Sequence, residues 1–343
     1  MSQRDGRGNA SATIYDVARD AGVSISTVSL ALNSPGRVRP ATLEKVYAAV
    51  RELGFQPKAE AAARARKSSR RIGVKGAFTA HGSFLERLQG VLMAAEEDHH
   101  EIVVYNDESM VLGRHFIDRL VLNGQLDGII LIGVPMTDSL AEHVLQEAFK
   151  TVLVGYGRPG FSCVDVDDVE GGRLAAEYLV QRGYQRCAYL GLPAPVTEPE
   201  VVPLTPEEWR LDGFRSCLTD AGIALPDKYM LAKHSFGAAE EAVHHLLSLD
   251  EAPDAIFASA DDLAGVVLKV ARQRGLRVPE DVAVMGFDDR EFADHLGLTT
   301  IRQSLVESGR VALRLLQDRF VTTSPGATTT VVLPLTVIPR STA

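Results

Sequence analysis

Disulfide chemistry, a membrane span and a metal cage all lack their raw material in this 343-residue chain. The three cysteines, Cys163, Cys187 and Cys217, stand far apart without zinc-site spacing and read as reduced thiols. No run of about 18 apolar residues occurs, so no spanning helix is expected. The opening MSQRDGRGNA lacks the apolar stretch of a secretory signal, which points to the cytoplasm. His99-His100 and His244-His245 are adjacent pairs, not the i, i+4 pairs that place two metal ligands on one helix face. No GxSxG elbow and no phosphate-binding P-loop is found. GYGRPG, Gly155 to Gly160, matches GxGxxG, but Pro159 interrupts it and the following FSCVDVDD reads as a strand. Dinucleotide binding needs a helix there, so the motif reads as a turn-rich connection. Nothing supports an enzyme, and no metal or cofactor is expected.

What is present is an uneven charge. The net charge is −9. Residues 1–71 hold 13 Lys and Arg against 6 Asp and Glu, a net of +7, whereas residues 72–343 hold 23 against 39, a net of −16. A basic head on an acidic body suits a polyanionic partner for the head alone. The length suits two or three domains.

The head carries three short helical patterns after a tail over 1–11. Thr13, with Asp16 three residues on, forms a capping-box variant before Ile14–Asp20. Gly22 makes a turn, Ser24 can cap a helix over 25–32, and Pro35-Gly36 breaks the chain. A third helix is expected over Pro40–Leu53, with Leu43, Val46, Ala49, Val50 and Leu53 at helical spacing and Gly54 as its stop. Two helices about a glycine turn, then a third, make a helix-turn-helix, whose second helix enters the major groove. Val28, Ala31 and Leu32 would pack inward, leaving Ile25, Ser26, Ser29 and Leu30 outward. Ser24, Thr27 and Ser29 can donate to phosphates, Ser26 can reach a base edge, and Ile25 and Leu30 can meet thymine methyls. On residue types alone, a small helical interaction module remains the alternative.

From Ile72 the pattern changes. Apolar runs such as RIGV, EIVVY, GIILIG, TVLVG, CAYLG, AIFAS and VAVMGF alternate with amphipathic helices. That is a doubly wound α/β body with mostly parallel strands, too long for one sheet and read as two similar lobes. Ligands in such sheets bind beyond the carboxyl ends of strands, which directs attention to a cleft between the lobes. A sugar-binding or sugar-modifying α/β protein with an accessory helical module is the rival reading.

TIYDVARDAGVSISTVSLALN and VRPATLEKVYAAVRELGFQP closely resemble the DNA-binding signature of the LacI/GalR family of bacterial transcription regulators. The resemblance resumes at VDVDDVEGGRLAAEYLVQRGY, RLDGF, ASADDLAGVVLKVARQRGLRVPEDVAVMGFDD and LTTIRQSLVESGRVALRLL. It implies a dimeric repressor with a head over 12–56 that reads one half of a palindromic operator. It further implies a hinge helix over 57–71 and a periplasmic-binding-protein-like body over 72–343. The expected lobes comprise about 72–164 with 296–321, and 165–295 with 322–343. It also implies a small effector in the cleft, held by Arg210 and Asp261, with Phe236 stacking and Phe84 lining the first lobe. A guanidinium fork, a carboxylate and an aromatic face suit a sugar. Thr13, Tyr15, Asn33, Arg37, Lys58 and Arg64 complete the DNA-facing set that the resemblance implies.

The departures are specific. Many family members carry arginine where this chain has Leu30, so a guanine-reading donor is given up. Hinge helices usually offer a leucine wedge, and counting from Pro57 that place holds Arg64. The segment before Arg210 offers prolines, Thr205 and the lone Trp209 rather than the polar and basic residues of purine-binding members, which favours a sugar. No leucine heptads follow Arg340, so a dimer is expected rather than a tetramer.

Overall fold

The computed structural model describes residues 12–33, 35–55, 70–79, 82–107, 113–191, 205–226, 228–230, 236–321 and 328–343. The head folds as α1 (Ile14–Asp20), α2 (Ile25–Asn33) and α3 (Pro40–Leu53). Thr13 N and Oγ1 both donate to Asp16 Oδ2, at 3.0 and 2.6 Å, and tie the entry to α1. Ser24 Oγ accepts from Thr27 N at 3.1 Å and caps α2. Gly22 and Gly54 both adopt positive φ, 65° and 59°, at the two places where the chain leaves α1 and α3. Val17, Val28, Ala31, Val46, Tyr47 and Val50 form a small separate core. That core leans on the body through Tyr47, whose ring centroid is 5.5 Å from that of His115, and Arg51, 3.8 Å from Asp118.

The body holds two six-stranded sheets. The first has the order β11-β5-β4-β3-β1-β2, all parallel, from β1 (Arg71–Gly76), β2 (Glu101–Asn106), β3 (Gly128–Ile132), β4 (Thr151–Val154), β5 (Ser162–Val166) and β11 (Thr330–Leu333). The second has the order β12-β10-β9-β8-β6-β7, from β6 (Cys187–Gly191), β7 (Lys228–Met230), β8 (Ala255–Ala258), β9 (Ala283–Asp288), β10 (Thr299–Gln303) and β12 (Leu335–Ile338). Only β12 in that sheet runs antiparallel, against β10. β3, β4, β8 and β9 are buried along their whole length, which is why they read as unbroken apolar runs.

The chain crosses between lobes three times, over 166–168, 303–305 and 333–335. This moves two of the expected boundaries. β10 belongs to the second sheet, although residues from 296 onward are expected in the first lobe. β11 belongs to the first, although residues from 322 onward are expected in the second. Apolar periodicity marks a strand but not the neighbour it pairs with, and here the pairing decides the lobe.

The lobes repeat one another. Helix Gly82–Glu97 carries RLQG at 87–90 and packs on helix Leu305–Val321, which carries ESGRVA at 307–312. Helix Pro206–Asp220 carries RLDG at 210–213 and packs on helix Asp168–Gln181, which carries EGGRLA at 170–175. A β-carbon on Gly90 would overlap the carbonyl oxygen of Val306, and one on Gly309 that of Arg87. The second lobe reproduces this, with Gly172 against Arg210 O and Gly213 against Val169 O. Glycine is required at these four positions by backbone approach.

Candidate effector cleft and DNA-reading helix

In the head, α2 presents what a groove-reading helix needs. Val28, Ala31 and Leu32 are buried, while Ile25 and Leu30 keep 41% and 37% of their surface exposed and Ser26 is exposed. Thr13, Tyr15 and Arg37 are exposed as well. Ser24 and Thr27 are less free than their residue types suggest. Their hydroxyls lie 2.8 Å apart, one donating to the other, and Ser24 Oγ already caps the helix, so the pair keeps one hydroxyl hydrogen for a phosphate. Ser29 is half-buried. The side chain of Asn33, and Lys58 and Arg64 entirely, lie outside the described residues.

In the body, buried charge gathers where strand carboxyl ends of both lobes meet. Arg210, 6% exposed, follows Thr205, which caps its helix by accepting from Glu208 N at 3.2 Å. Its Nε donates to Asp168 Oδ1 and its Nη1 to the carbonyl of Ser259, both at 2.7 Å. The guanidinium lies 3.7 Å from the ring centroid of Phe287. From the first lobe comes Arg87, 9% exposed, whose Nη2 donates to Gln303 Oε1 at 2.9 Å. The amide of Gln303 donates in turn to Asp288 Oδ1. Arg290 bridges the lobes too, binding Asp262 at 2.8 Å and Glu86 at 3.1 Å. Phe84 sits on the Gly133 turn after β3, where a β-carbon would overlap its ring, and 5.9 Å from the Arg87 guanidinium carbon.

Asp261 differs from the expectation. It has no exposed surface, its Oδ1 accepts from Thr300 Oγ1 at 2.6 Å, and its Oδ2 accepts from Arg290 N at 2.8 Å. One bond to each oxygen ties it to Thr300 and to the 288–290 turn. Asp288 is the carboxylate that shares the field of Arg87 and Arg210, and it sits at φ 117°, a strained conformation for aspartate. Burial pushes Asp288 up to about 6 against the pull of the two arginines. Burial, reinforced by Asp288, pushes Asp261 up to about 8. Burial likewise raises Asp168, opposed by Arg210. Phe287 supplies the aromatic face that meets Arg210. The side chain of Phe236 lies outside the described residues.

Arg87, Asp288 and Gln303 were not singled out by the sequence. The repeated RLxG, once aligned on both lobes, marks Arg87 as the counterpart of Arg210 and is the signal that finds it. GYGRPG is a turn between β4 and β5, with Gly155 and Gly160 at φ 87° and 88°, and no helix follows it. Asp165 holds this turn by accepting from the backbone of Gly155 and Gly157. Among the described residues one trio, Asp118, His143 and Glu147, has its ligand atoms within 4.8 Å of one another. Asp118 already bonds His143 at 2.6 Å and lies 3.8 Å from Arg51 of the head. No described helix is long and apolar enough to cross a membrane.

A helix-turn-helix ahead of two α/β lobes joined by three crossings, with buried charged side chains at the junction, defines a DNA-binding regulator controlled by a small effector. Residues 13–58 match the family described as "Bacterial regulatory proteins, lacI family", and residues 176–343 match "Periplasmic binding protein-like domain". The ribose operon repressor of Escherichia coli (strain K12) is 32% identical over 315 residues, covering 90% of this chain and 93% of that protein. Catabolite control protein A of Priestia megaterium is 30% identical over 312 residues, covering 89% and 91%. Among solved structures, the transcriptional regulator CelR–cellobiose complex superposes with a TM-score of 0.68 at 28% identity, covering 97% of this chain and all of that one. The lac repressor dimer bound to operator and an anti-inducer gives 0.68 at 26%, covering 97% and 99%. The chain belongs to the LacI family of transcriptional regulators. It is a DNA-binding repressor controlled by an effector, and not an enzyme.

Proposed function

We propose that this repressor acts in the cytoplasm as a homodimer on a palindromic operator and takes a sugar-class effector in the interlobe cleft. The recognition helix is α2, with Ile25, Ser26 and Leu30 toward the bases. Ser24, Thr27, Ser29 and Arg37 face phosphates, with Thr13, Tyr15 and Asn33 beside them. Lys58 and Arg64, in a hinge over 57–71, add contacts to the central minor groove. The dimer reading is supported by Leu85, Leu92 and Met93, which leave 40–53% of their surface exposed along one side of helix Gly82–Glu97.

The observation that carries the effector reading is the set of contacts that join the lobes at their strand ends, Arg87 to Gln303 and Arg290 to Glu86. A molecule that replaces them changes lobe geometry. Arg210 and Asp288 offer a fork donor and an acceptor for neighbouring hydroxyls, while Phe84 offers an apolar wall. Asp261 belongs to the site as a brace. A sugar is favoured by this donor set and by the cellobiose held in the CelR structure. Coupling to the head needs a difference in affinity of only about 1–3 kcal/mol between the two states. Arg210→Lys keeps a cation beside Asp168 but loses the fork. It should retain operator binding in a mobility-shift assay while its effector response falls at least tenfold. An unchanged effector response would refute the placement of Arg210. Trp209, next to Arg210 and half-buried, supplies the fluorescence readout.

A further inference from the structure

Among the described residues of the body, three lysine and arginine side chains are buried: Lys75, Arg87 and Arg210. Lys75 pairs with Asp107, and Arg210 with Asp168. Arg87 has no carboxylate within ion-pair reach among the described residues. Glu86, its neighbour in sequence, is bound to Arg290. Asp288, the negative charge that acts on Arg87 most strongly, bonds the amide of Gln303 instead. The one bond of Arg87 to that network is to a neutral amide oxygen, and its Nε is a buried donor with no acceptor. A guanidinium held out of water with a donor unmet is costly unless an anion completes it.

Its place in the fold is not accidental. Arg87 opens RLQG in the first lobe as Arg210 opens RLDG in the second, and both arginines precede by three residues a glycine locked against the neighbouring helix. Arg210 acts on the charge state of Arg87 and Asp288 acts on both, while the bond from Arg87 to Gln303 carries the first-lobe guanidinium across to the second lobe, so the two arginines share one junction. On its own side Arg210 is paired with Asp168 and bonded to the Ser259 carbonyl, with guanidinium donors left over for a ligand. Arg87 is not so paired among the described residues.

We infer that Arg87 is a second effector-binding guanidinium, opposed to Arg210, and that the effector is a polyol bearing an anionic group, phosphate or carboxylate. This rests on the cleft between the lobes being the effector site. A guanidinium fork matches either oxyanion in two parallel hydrogen bonds. The hydroxyl end of the ligand then falls to Arg210 and Asp288, and the anionic end to Arg87.

The test uses the full-length protein with matched probes: ribose against ribose 5-phosphate, glucose against gluconate, and inorganic phosphate alone, at constant ionic strength. Binding is followed by calorimetry and by melting temperature. Wild type should favour at least one anionic probe over its neutral partner by 100-fold or more, and phosphate should raise its melting temperature. The pair that shows the preference separates phosphate from carboxylate. Arg87→Leu should abolish both effects and leave affinity for the neutral partner within threefold. Without ligand, Arg87→Leu should melt no lower than wild type, which also shows that the variant folds. An anionic preference or phosphate stabilisation that survives in Arg87→Leu overturns the inference, as does the absence of both in wild type. Neutral and anionic probes that bind wild type equally well, in an Arg210-dependent and Arg87-independent way, overturn it while leaving the cleft reading intact. An effector response that neither Arg210→Lys nor Arg87→Leu alters overturns both.

Discussion

The two lobes place an arginine at the same point of the same helical repeat and treat it differently. In the second lobe Arg210 is enclosed by a carboxylate, a carbonyl and the face of Phe287, all from its own lobe. In the first, Arg87 reaches across to Gln303, the last residue of a strand of the other lobe. One guanidinium therefore bonds within its own lobe, and the other bonds across the junction between lobes. An effector that bonds Arg87 competes directly with an interlobe contact, which is how a small molecule converts its binding energy into a change of lobe geometry.

Removing each arginine should expose that difference. Arg210→Leu strands Asp168, 6% exposed, without its cation, and breaking a buried pair in this way costs about 3–5 kcal/mol. Urea unfolding at neutral pH should show that loss, and adding Asp168→Asn should recover most of it. Equal losses for Arg210→Leu and Arg87→Leu would erase the distinction between the lobes. The glycine locks should behave alike instead. Gly172→Ala and Gly309→Ala each force a backbone carbonyl away, at about 1–3 kcal/mol. Gly172→Ala displaces the Arg210 carbonyl and Gly309→Ala that of Arg87. Both should weaken effector affinity as well as stability, and a loss confined to one lobe would show that the repeat is not mechanically equivalent.

Two buried carboxylates of the second lobe, Asp261 and Asp288, add a pH dependence. Asp261 keeps its proton in the folded protein until about pH 8 and Asp288 until about pH 6, because both are buried. In the unfolded chain each loses it near pH 4. Between those values folding takes up protons, so stability is complete below about pH 4 and falls as pH rises. The maximal slope is about 1.4 kcal/mol per pH unit for each group. From pH 6 to 8 only Asp261 still contributes of the two. Asp261→Asn can donate to Thr300 and accept from Arg290 N, so it should flatten that part of the profile. A stability difference from wild type that stays constant between pH 6 and 8 would show that Asp261 is ionised throughout.

The head was legible because its signals are local. The capping box of Thr13 and Asp16, the turn at Gly22 and the αL stop at Gly54 each act within a few residues, and α1 and α3 fall on their expected bounds. The alternation of apolar strands and helices also disclosed the two-lobed body. What stayed hidden depends on contacts across the chain. Arg87 and Gln303 are 216 residues apart. Asp261 and Asp288 are both acidic residues after apolar strands. Only the structure shows that Thr300 and the Arg290 amide have taken the oxygens of the first and left the second beside the arginines.

The head completes the comparison by contrast, since α2 carries no charged residue at all where each lobe invests an arginine. Leu30 keeps 37% of its surface exposed, on the face of α2 proposed to meet the groove. Leu30→Arg touches no core residue, so its effect on stability should be within about 0.5 kcal/mol. Its effect belongs to recognition. A guanidinium there bonds guanine O6 and N7, a discrimination of about 1–3 kcal/mol at one base pair. Selection from random duplexes should therefore return guanine at one symmetric position of each half-site for the variant, where wild type prefers a thymine methyl. An identical consensus for both proteins would move Leu30 out of the groove and leave Ile25 and Ser26 as the residues that read the bases.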